Sequence, residues 1–182
     1  MSEYAAFLRG MNVGGHRISN EDLRTRFEEL GFGEVRTFRA SGNVIFAAAG
    51  EESEDELSAR IETGLAAALG YEVPVFLRSA SEIGTIAADR SFAQPSIDAS
   101  KGKPQVVLLS TAPAARARKQ VLALASDEDR LAFGERELHW LPSGGILDTA
   151  LDFKAIGKLL GSTTTRTQGT VEQLAAKYFA GE

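Results

Sequence analysis

Cysteine is absent from this 182-residue chain. Disulfides, zinc–thiolate sites and thiol nucleophiles are therefore excluded together. Histidine occurs only at His16 and His139, with no HxH or HExxH spacing, so no metal site and no cofactor are expected. No stretch approaches the roughly 18 apolar residues of a membrane span. The first apolar run, residues 4–8, is short and has no basic leader, so a secretory signal is not read. A cytoplasmic protein without a membrane partner is the expectation. Positive charge is also short: 20 Lys and Arg face 25 Asp and Glu, a net charge of −5. That balance argues against general adhesion to nucleic acid.

The residues present are those of an ordinary globular protein, 43% apolar and 25% charged, enough for one large or two small domains. After the apolar run come Arg9, Gly10, Met11, Asn12, Val13, Gly14 and Gly15, so three glycines fall within six residues. Glycine this dense behind a strand demands a tight turn or a close approach. Ser19 with Asp22 then resembles a capping box, and Leu23, Phe27 and Leu30 form the buried stripe of a helix closed by Gly31. Two short strands, residues 35–39 and 44–47, flank a turn made of Ala40, Ser41, Gly42 and Asn43. Ser53 and Glu56 form a full capping box ahead of Leu57, Ile61, Leu65 and Leu69, and Gly70 ends that helix. Residues 72–78 alternate as another strand.

The order β-α-β-β-α-β predicts an α+β protein whose residues 1–90 form a ferredoxin-like subdomain. Residues 91–104, with Pro95, Pro104 and Gly102, read as a linker. Residues 105–182 read as a second, smaller α+β subdomain: a strand at 105–110, a helix opened by Pro113, a hairpin around Gly134, and two helices. The last of these helices is capped by Thr170 with Gln173, and no final strand is evident.

Topology brings two distant stretches together. In a split βαβ unit the loop after the first strand and the turn between the second and third lie at one edge of the sheet. Residues 9–17 and 39–43 are those places. Arg9, Asn12, Gly14, Gly15, Arg39, Ser41, Gly42 and Asn43 should converge there beside the N-terminus of the helix that begins near Ser19. Arginines, glycine-freed amides and a helix N-terminus suit an anion. The plain alternative is a structural corner in which the glycines turn the chain and Asn43 tolerates a left-handed conformation.

Other candidates have bland readings. His16 could serve as a base, yet a lone loop histidine is usually solvated; His139 alternates outward in its strand and is expected to be exposed. The Gly10-x-x-x-Gly14-Gly15 spacing is neither the dinucleotide fingerprint nor a P-loop. The acids of residues 51–56 suit a helix N-terminus rather than a cation. Residues 99–126 hold five bases and no acid, but Arg116, Arg118 and Lys119 read as a solvated helix face. Five bases fall short of the roughly six to ten phosphates a tight duplex binder neutralises.

The run Leu8-Arg9-Gly10-Met11-Asn12-Val13-Gly14-Gly15, followed by Leu30-Gly31-Phe32, Val35-Arg36-Thr37 and Ser41-Gly42-Asn43-Val44-Ile45-Phe46, resembles the bacterial family called domain of unknown function 1697. Thr165-Arg166 and Thr170-Val171-Glu172-Gln173-Leu174 resemble its closing motif. Relatives usually carry Arg-Asn-Trp where this chain has Arg166-Thr167-Gln168, so no site role is carried over to that segment. The resemblance implies a ferredoxin-like N-terminal subdomain beside a smaller one and no assigned activity. It also draws weight to the polar loop and turn.

The expected function is binding of a small anionic ligand, a nucleotide or phosphorylated metabolite, at the edge made by residues 9–17 and 39–43. Two alternatives stand beside it. One is an enzyme acting on a small phosphorylated molecule; the other is an interaction module with weak RNA or protein binding. Oligomeric state is not legible.

Overall fold

The computed structural model describes residues 1–15, 17–40 and 42–179. It is a mixed α+β structure with two four-stranded antiparallel sheets. The chain divides into two compact units, one of Met1–Gly84 with the chain end from Lys177 onward, the other Thr85–Ala176.

The first unit runs β1 (Ser2–Leu8), α1 (Asn20–Glu29), β2 (Gly33–Thr37), β3 (Asn43–Ala48), α2 (Glu54–Leu69) and β4 (Val75–Ser79), with sheet order β2-β3-β1-β4. Its helices start where local chemistry directs. The Ser19 hydroxyl accepts from the Asp22 N–H at 3.0 Å, and Ser53 and Glu56 make a reciprocal capping box. Leu23 and Phe27 of α1 and Leu57, Ile61 and Leu65 of α2 bury against one face of the sheet. Each such side chain contributes about 1.5–3 kcal/mol from burial. Gly64 lets the helices approach, since a Cβ there would lie 2.4 Å from Leu30 Cδ2. The opposite face is buried too, including Ala5, Phe7, Ile45 and Phe76, which explains why β1 reads as apolar without alternation.

Between the sheets in sequence lies α3 (Ala80–Ala88), capped by Ser79 and Glu82. The second unit continues with α4 (Gln94–Ala99), β5 (Gln105–Leu109), α5 (Ala115–Leu122), β6 (Asp129–Phe133) and β7 (Glu137–Pro142). It then adds α6 (Phe153–Leu160), β8 (Thr163–Thr167) and α7 (Gln168–Tyr178). Its sheet order is β6-β7-β5-β8, the same pattern as the first. Val107, Leu109, Leu138 and Trp140 form its core with Val121 of α5 and Ile156 of α6. The Asp129 carboxylate, buried, accepts from Trp140 Nε1 and from the Thr149 hydroxyl, both at 2.7 Å.

Four expectations change. The final strand missing from the second half exists: β8 pairs along β5, from Thr163 opposite Leu109 to Thr167 opposite Gln105. Residues 91–104, read as a linker, contain α4 and are tied into the second unit. There Arg130 Nη1 donates to Ser96 Oγ at 2.7 Å, and the Lys101 N–H donates to the Ser143 carbonyl at 2.9 Å. The cap of α7 is Thr167 rather than Thr170, whose own N–H donates to Thr167 Oγ1 at 3.1 Å. His139 is not exposed; it is 3% accessible. Among the described residues no helix is long and apolar enough to cross a membrane.

Candidate functional site

At the end of β1 the Leu8 N–H donates to the Gly42 carbonyl at 2.8 Å, and the Arg9 N–H to the Pro74 carbonyl at 3.0 Å. The chain then leaves the sheet through left-handed positions at Gly10, Asn12, Gly14 and Gly15, with φ of 75°, 59°, 60° and 87°. Asn12 adopts this conformation because both ends of its side chain find backbone partners. Its Nδ2 donates to the Ala40 carbonyl at 2.9 Å, and its Oδ1 accepts from the Ile18 N–H at 3.1 Å. One residue thus ties the loop after β1 to the β2–β3 turn and to the approach of α1.

The turn is shaped for that contact. Gly42, at φ 70°, is buried, and a Cβ on it would lie 2.7 Å from Met11 Cγ and 3.1 Å from Leu8 Cβ. Asn43 is 1% accessible, and its Nδ2 donates to the Phe38 carbonyl at 2.9 Å. Arg39 is itself left-handed, φ 59°, and exposed. The structure therefore brings Asn12, Gly42 and Asn43 together with the turn carrying Arg39. Arg9, Gly14 and Gly15 are exposed in the same loop. His16 and Ser41 lie outside the described residues.

An open hollow of about 530 Å³ sits at this corner, lined by Asn12, Arg17, Ile18, Ser19, Asn20 and Ala40. Residue typing alone picked out Asn12 from this lining. Arg17, Ile18, Ser19, Asn20 and Ala40 were missed as site residues, although the topological argument that joined loop and turn also places the start of α1 at this edge. The helix end is not electrostatically bare. Ser19 Oγ donates to the Asp22 carboxylate at 2.6 Å, and Glu21 and Asp22 occupy the first turn. The positive charge lining the hollow therefore comes from Arg17, while the guanidinium of Arg39, next to Ala40 in sequence, lies 5.4 Å from the Phe38 ring centre.

The second sheet has a topologically equivalent corner, and an arginine braces it. There the Leu109 N–H donates to the Arg136 carbonyl at 2.9 Å, the counterpart of the Leu8–Gly42 bond. Only residues 110–114 separate β5 from α5, against residues 9–19 between β1 and α1. Arg118 spans the corner: its Nε donates to the Pro113 carbonyl at 3.2 Å and its Nη2 to the Glu135 carbonyl at 2.7 Å. Its guanidinium lies 5.1 Å from the Phe133 ring centre. Buried Glu137, which opens β7 as Asn43 opens β3, accepts from the backbone N–H groups of Glu135 and Arg136, each at 3.1 Å. Arg118, read from sequence as part of a solvated face, is thus a structural brace.

Elsewhere in the second unit His139 Nδ1 lies 3.6 Å from Asp89 Oδ1. Burial pushes its pKa below the ordinary histidine value, against the opposing pull of Asp89 and Glu137. Arg166 is pushed down to about 10 by burial and donates to Thr164 Oγ1 and to the Thr165 carbonyl, both at 2.9 Å. Gln168 Nε2 donates to the Ile86 carbonyl at 2.9 Å. The segment Arg166-Thr167-Gln168 is accordingly built into strand, cap and helix start. Among the described residues no group of three or more His, Asp or Glu side chains is placed to hold a metal ion.

The family model described as "Protein of unknown function (DUF1697)" matches residues 1–139. The chain belongs to this family. The matched region contains all of β1 to β4, and with them both the loop and the turn of the corner. Among solved structures, the conserved bacterial protein SP0830 from Streptococcus pneumoniae is similar, with a TM-score of 0.75 and 19% identity. The alignment covers 96% of this chain and 97% of that one, so the likeness in fold extends through both units. No curated protein matches the chain.

Proposed function

We propose that the corner between residues 9–19 and 39–43 binds a small anionic ligand. The observation that carries this reading is the hollow bounded by Asn12, Arg17, Ser19, Asn20 and Ala40, at an edge whose counterpart in the second unit is bridged by Arg118. A loop longer than the connection requires, held open by one asparagine, is the form expected of a binding loop on a rigid sheet. Arg17 supplies charge on the wall and Arg39 lies in the adjoining turn; charge-assisted bonds from two or three donors support an affinity from about millimolar to micromolar, roughly 4–8 kcal/mol. Among the described lining residues none is a carboxylate or an imidazole. That composition supports binding over general acid–base catalysis, which needs a titratable group within hydrogen-bond reach.

The sheet order β2-β3-β1-β4, with both helices on one face, supports reading the first unit as ferredoxin-like; the order β6-β7-β5-β8 supports the same for the second. Thermal-shift measurements with phosphate, pyrophosphate and ribose 5-phosphate test the binding reading. A ligand at a hundred times its dissociation constant adds about 2.7 kcal/mol, which for a chain of this size raises the melting temperature by several degrees. The expected result is a rise in the wild type that Arg17→Ala abolishes. A flat response to every anion, or a variant that responds like the wild type, removes the proposal.

A further inference from the structure

We infer that the second unit carries a docking site for a segment of a partner protein, in which a lysine side chain enters an acidic hollow and the apolar residue beside it rests on an exposed leucine. The site lies wholly within the second unit and is independent of the anion-binding corner.

A hollow of about 120 Å³ lies between the start of β6 and the chain that follows β7. Glu128, Asp129 and Asp148 line it, and among the described lining residues none is basic. Its two walls are tied together: the Ser143 N–H donates to the Glu128 carbonyl at 2.6 Å, and the Thr149 hydroxyl to Asp129 Oδ1 at 2.7 Å. Glu128 and Asp148 are exposed, as acids usually are, but Asp129 is only 4% accessible. Both bonds to its carboxylate, from Trp140 Nε1 and from Thr149, fall on Oδ1. Oδ2 accepts from none of the described residues and is not among their sealed, unpartnered atoms, so it opens on the hollow that Asp129 lines. A carboxylate taken this far out of water is costly to leave half-paired. The open oxygen marks the place of a donor.

The hollow selects that donor by size and by number of bonds. Its volume is that of about four waters at roughly 30 Å³ each, well under the roughly 300–1,000 Å³ of a pocket for a whole small molecule. It admits the head of one side chain. A guanidinium fork seeks both oxygens of one carboxylate, and Asp129 has one left. An ammonium offers three separate donors, one for Asp129 and the others for Glu128 and Asp148. Among the described residues no group of three or more His, Asp or Glu is placed to hold a metal ion, which favours an organic cation.

The rim says what carries the ammonium. Gly145 and Asp148 both line the hollow, and the Asp148 N–H donates to the Gly145 carbonyl at 3.0 Å. The two residues inside this turn are Ile146, 47% accessible, and Leu147, 98% accessible. Adjacent aliphatic side chains held in water beside a charged hollow suit an occupant with apolar surface of its own. A peptide segment with lysine next to an apolar residue has both parts.

The chain's one tryptophan makes the test direct, because Trp140 Nε1 donates to Asp129. In nitrogen–proton correlation spectra of the full chain, its indole resonance is expected to shift on titration with the peptide Gly-Lys-Leu-Gly, blocked at both ends. The same peptide with its lysine acetylated is expected to bind about tenfold more weakly, the loss of one charge-assisted bond. Glu128→Gln and Asp148→Asn, both at exposed positions, should each weaken the lysine peptide about threefold. Leu147→Ser should do the same through lost apolar contact, about threefold. An indole resonance unmoved at about 10 mM peptide, far above a millimolar dissociation constant, overturns the inference. So does an equal response to the acetylated peptide, or a shift with calcium that the peptide does not reproduce. Butylamine binding as tightly as the peptide overturns the docking of a segment, since the rim would then add nothing.

Discussion

The two sheets share one strand order and differ at one corner. In both, the first strand ends by donating to the carbonyl of the residue just before the third strand, Leu8 to Gly42 and Leu109 to Arg136. In both, that third strand opens on a buried polar side chain, Asn43 or Glu137, which serves the adjoining turn. What differs is the length of chain spent. The short connection of the second unit leaves room for one arginine, and Arg118 occupies it. The longer connection of the first is spanned by Asn12, whose short side chain ties loop to turn and leaves the hollow unfilled. The same topology thus yields a braced corner and an open one, and the open one is where a ligand could be held without disturbing the sheet.

Substitutions at matched positions can break this comparison. The largest effect is expected from Gly42→Ala, which combines a left-handed backbone with a Cβ driven against Met11 and Leu8. A loss of about 3 kcal/mol follows from adding the two costs, read from urea unfolding. A loss under about 1 kcal/mol would mean the turn repacks and the corner is not rigid. Next is Arg118→Ala, which strips the brace from the second corner and leaves the Pro113 and Glu135 carbonyls without their donor. It should cost about 2 kcal/mol and create no thermal response to phosphate, because the guanidinium that spans this corner is gone. A phosphate response in this variant would show that an open corner alone suffices.

Asn12→Ala is expected to cost about 1–2 kcal/mol, from two lost hydrogen bonds and an unfavourable φ. Asn12→Gly should recover the backbone part alone, and both variants should bind the anion more weakly because the loop is no longer pinned. If the two variants are equally stable, strain contributes nothing at this position.

The smallest effect separates the units by pH. His139 is buried with its pKa lowered in the folded chain, so the unfolded chain binds the proton more readily. Its contribution is fully present above the unfolded value of about 6.5 and declines as pH falls below it, by at most about 1.4 kcal/mol per unit. His139→Gln should flatten the stability profile between pH 6.5 and 5.5. A steeper profile in the variant would reverse the sign of this assignment.

Much of the first unit was legible because its signals are local. Ser19, Ser53 and Ser79 start helices, Gly31 and Gly70 end them, and the predicted strands fall close to those found. The second unit was harder to read. Strand β8 is Thr163-Thr164-Thr165-Arg166-Thr167, with no apolar alternation to announce it; its threonines favour extended backbone, and pairing with β5 makes it a strand. His139 alternates away from the Leu138 and Trp140 core, which on a one-sided sheet means solvent, but this sheet is buried on that face as well, at Val106 and Leu108. Residues 91–104 looked like a linker because proline and glycine punctuate them. Gly102 is required there for another reason: a Cβ would lie 2.4 Å from the Gly144 carbonyl oxygen. At the candidate site, topology foretold the meeting of loop and turn, whereas the roles of Arg17 and Ala40 emerged only with the shape of the hollow.

The sequence by itself determined the order of the elements, the helix ends and the exclusion of cysteine chemistry. These follow from hydrogen bonds and φ preferences acting within a few residues, and from composition. Tertiary structure decided that Asn12 reaches Ala40 across 28 positions, that Arg118 fills one corner while its counterpart stays open, and that His139 is buried. Burial and long-range pairing depend on what the rest of the chain brings to each place, and no local pattern records that.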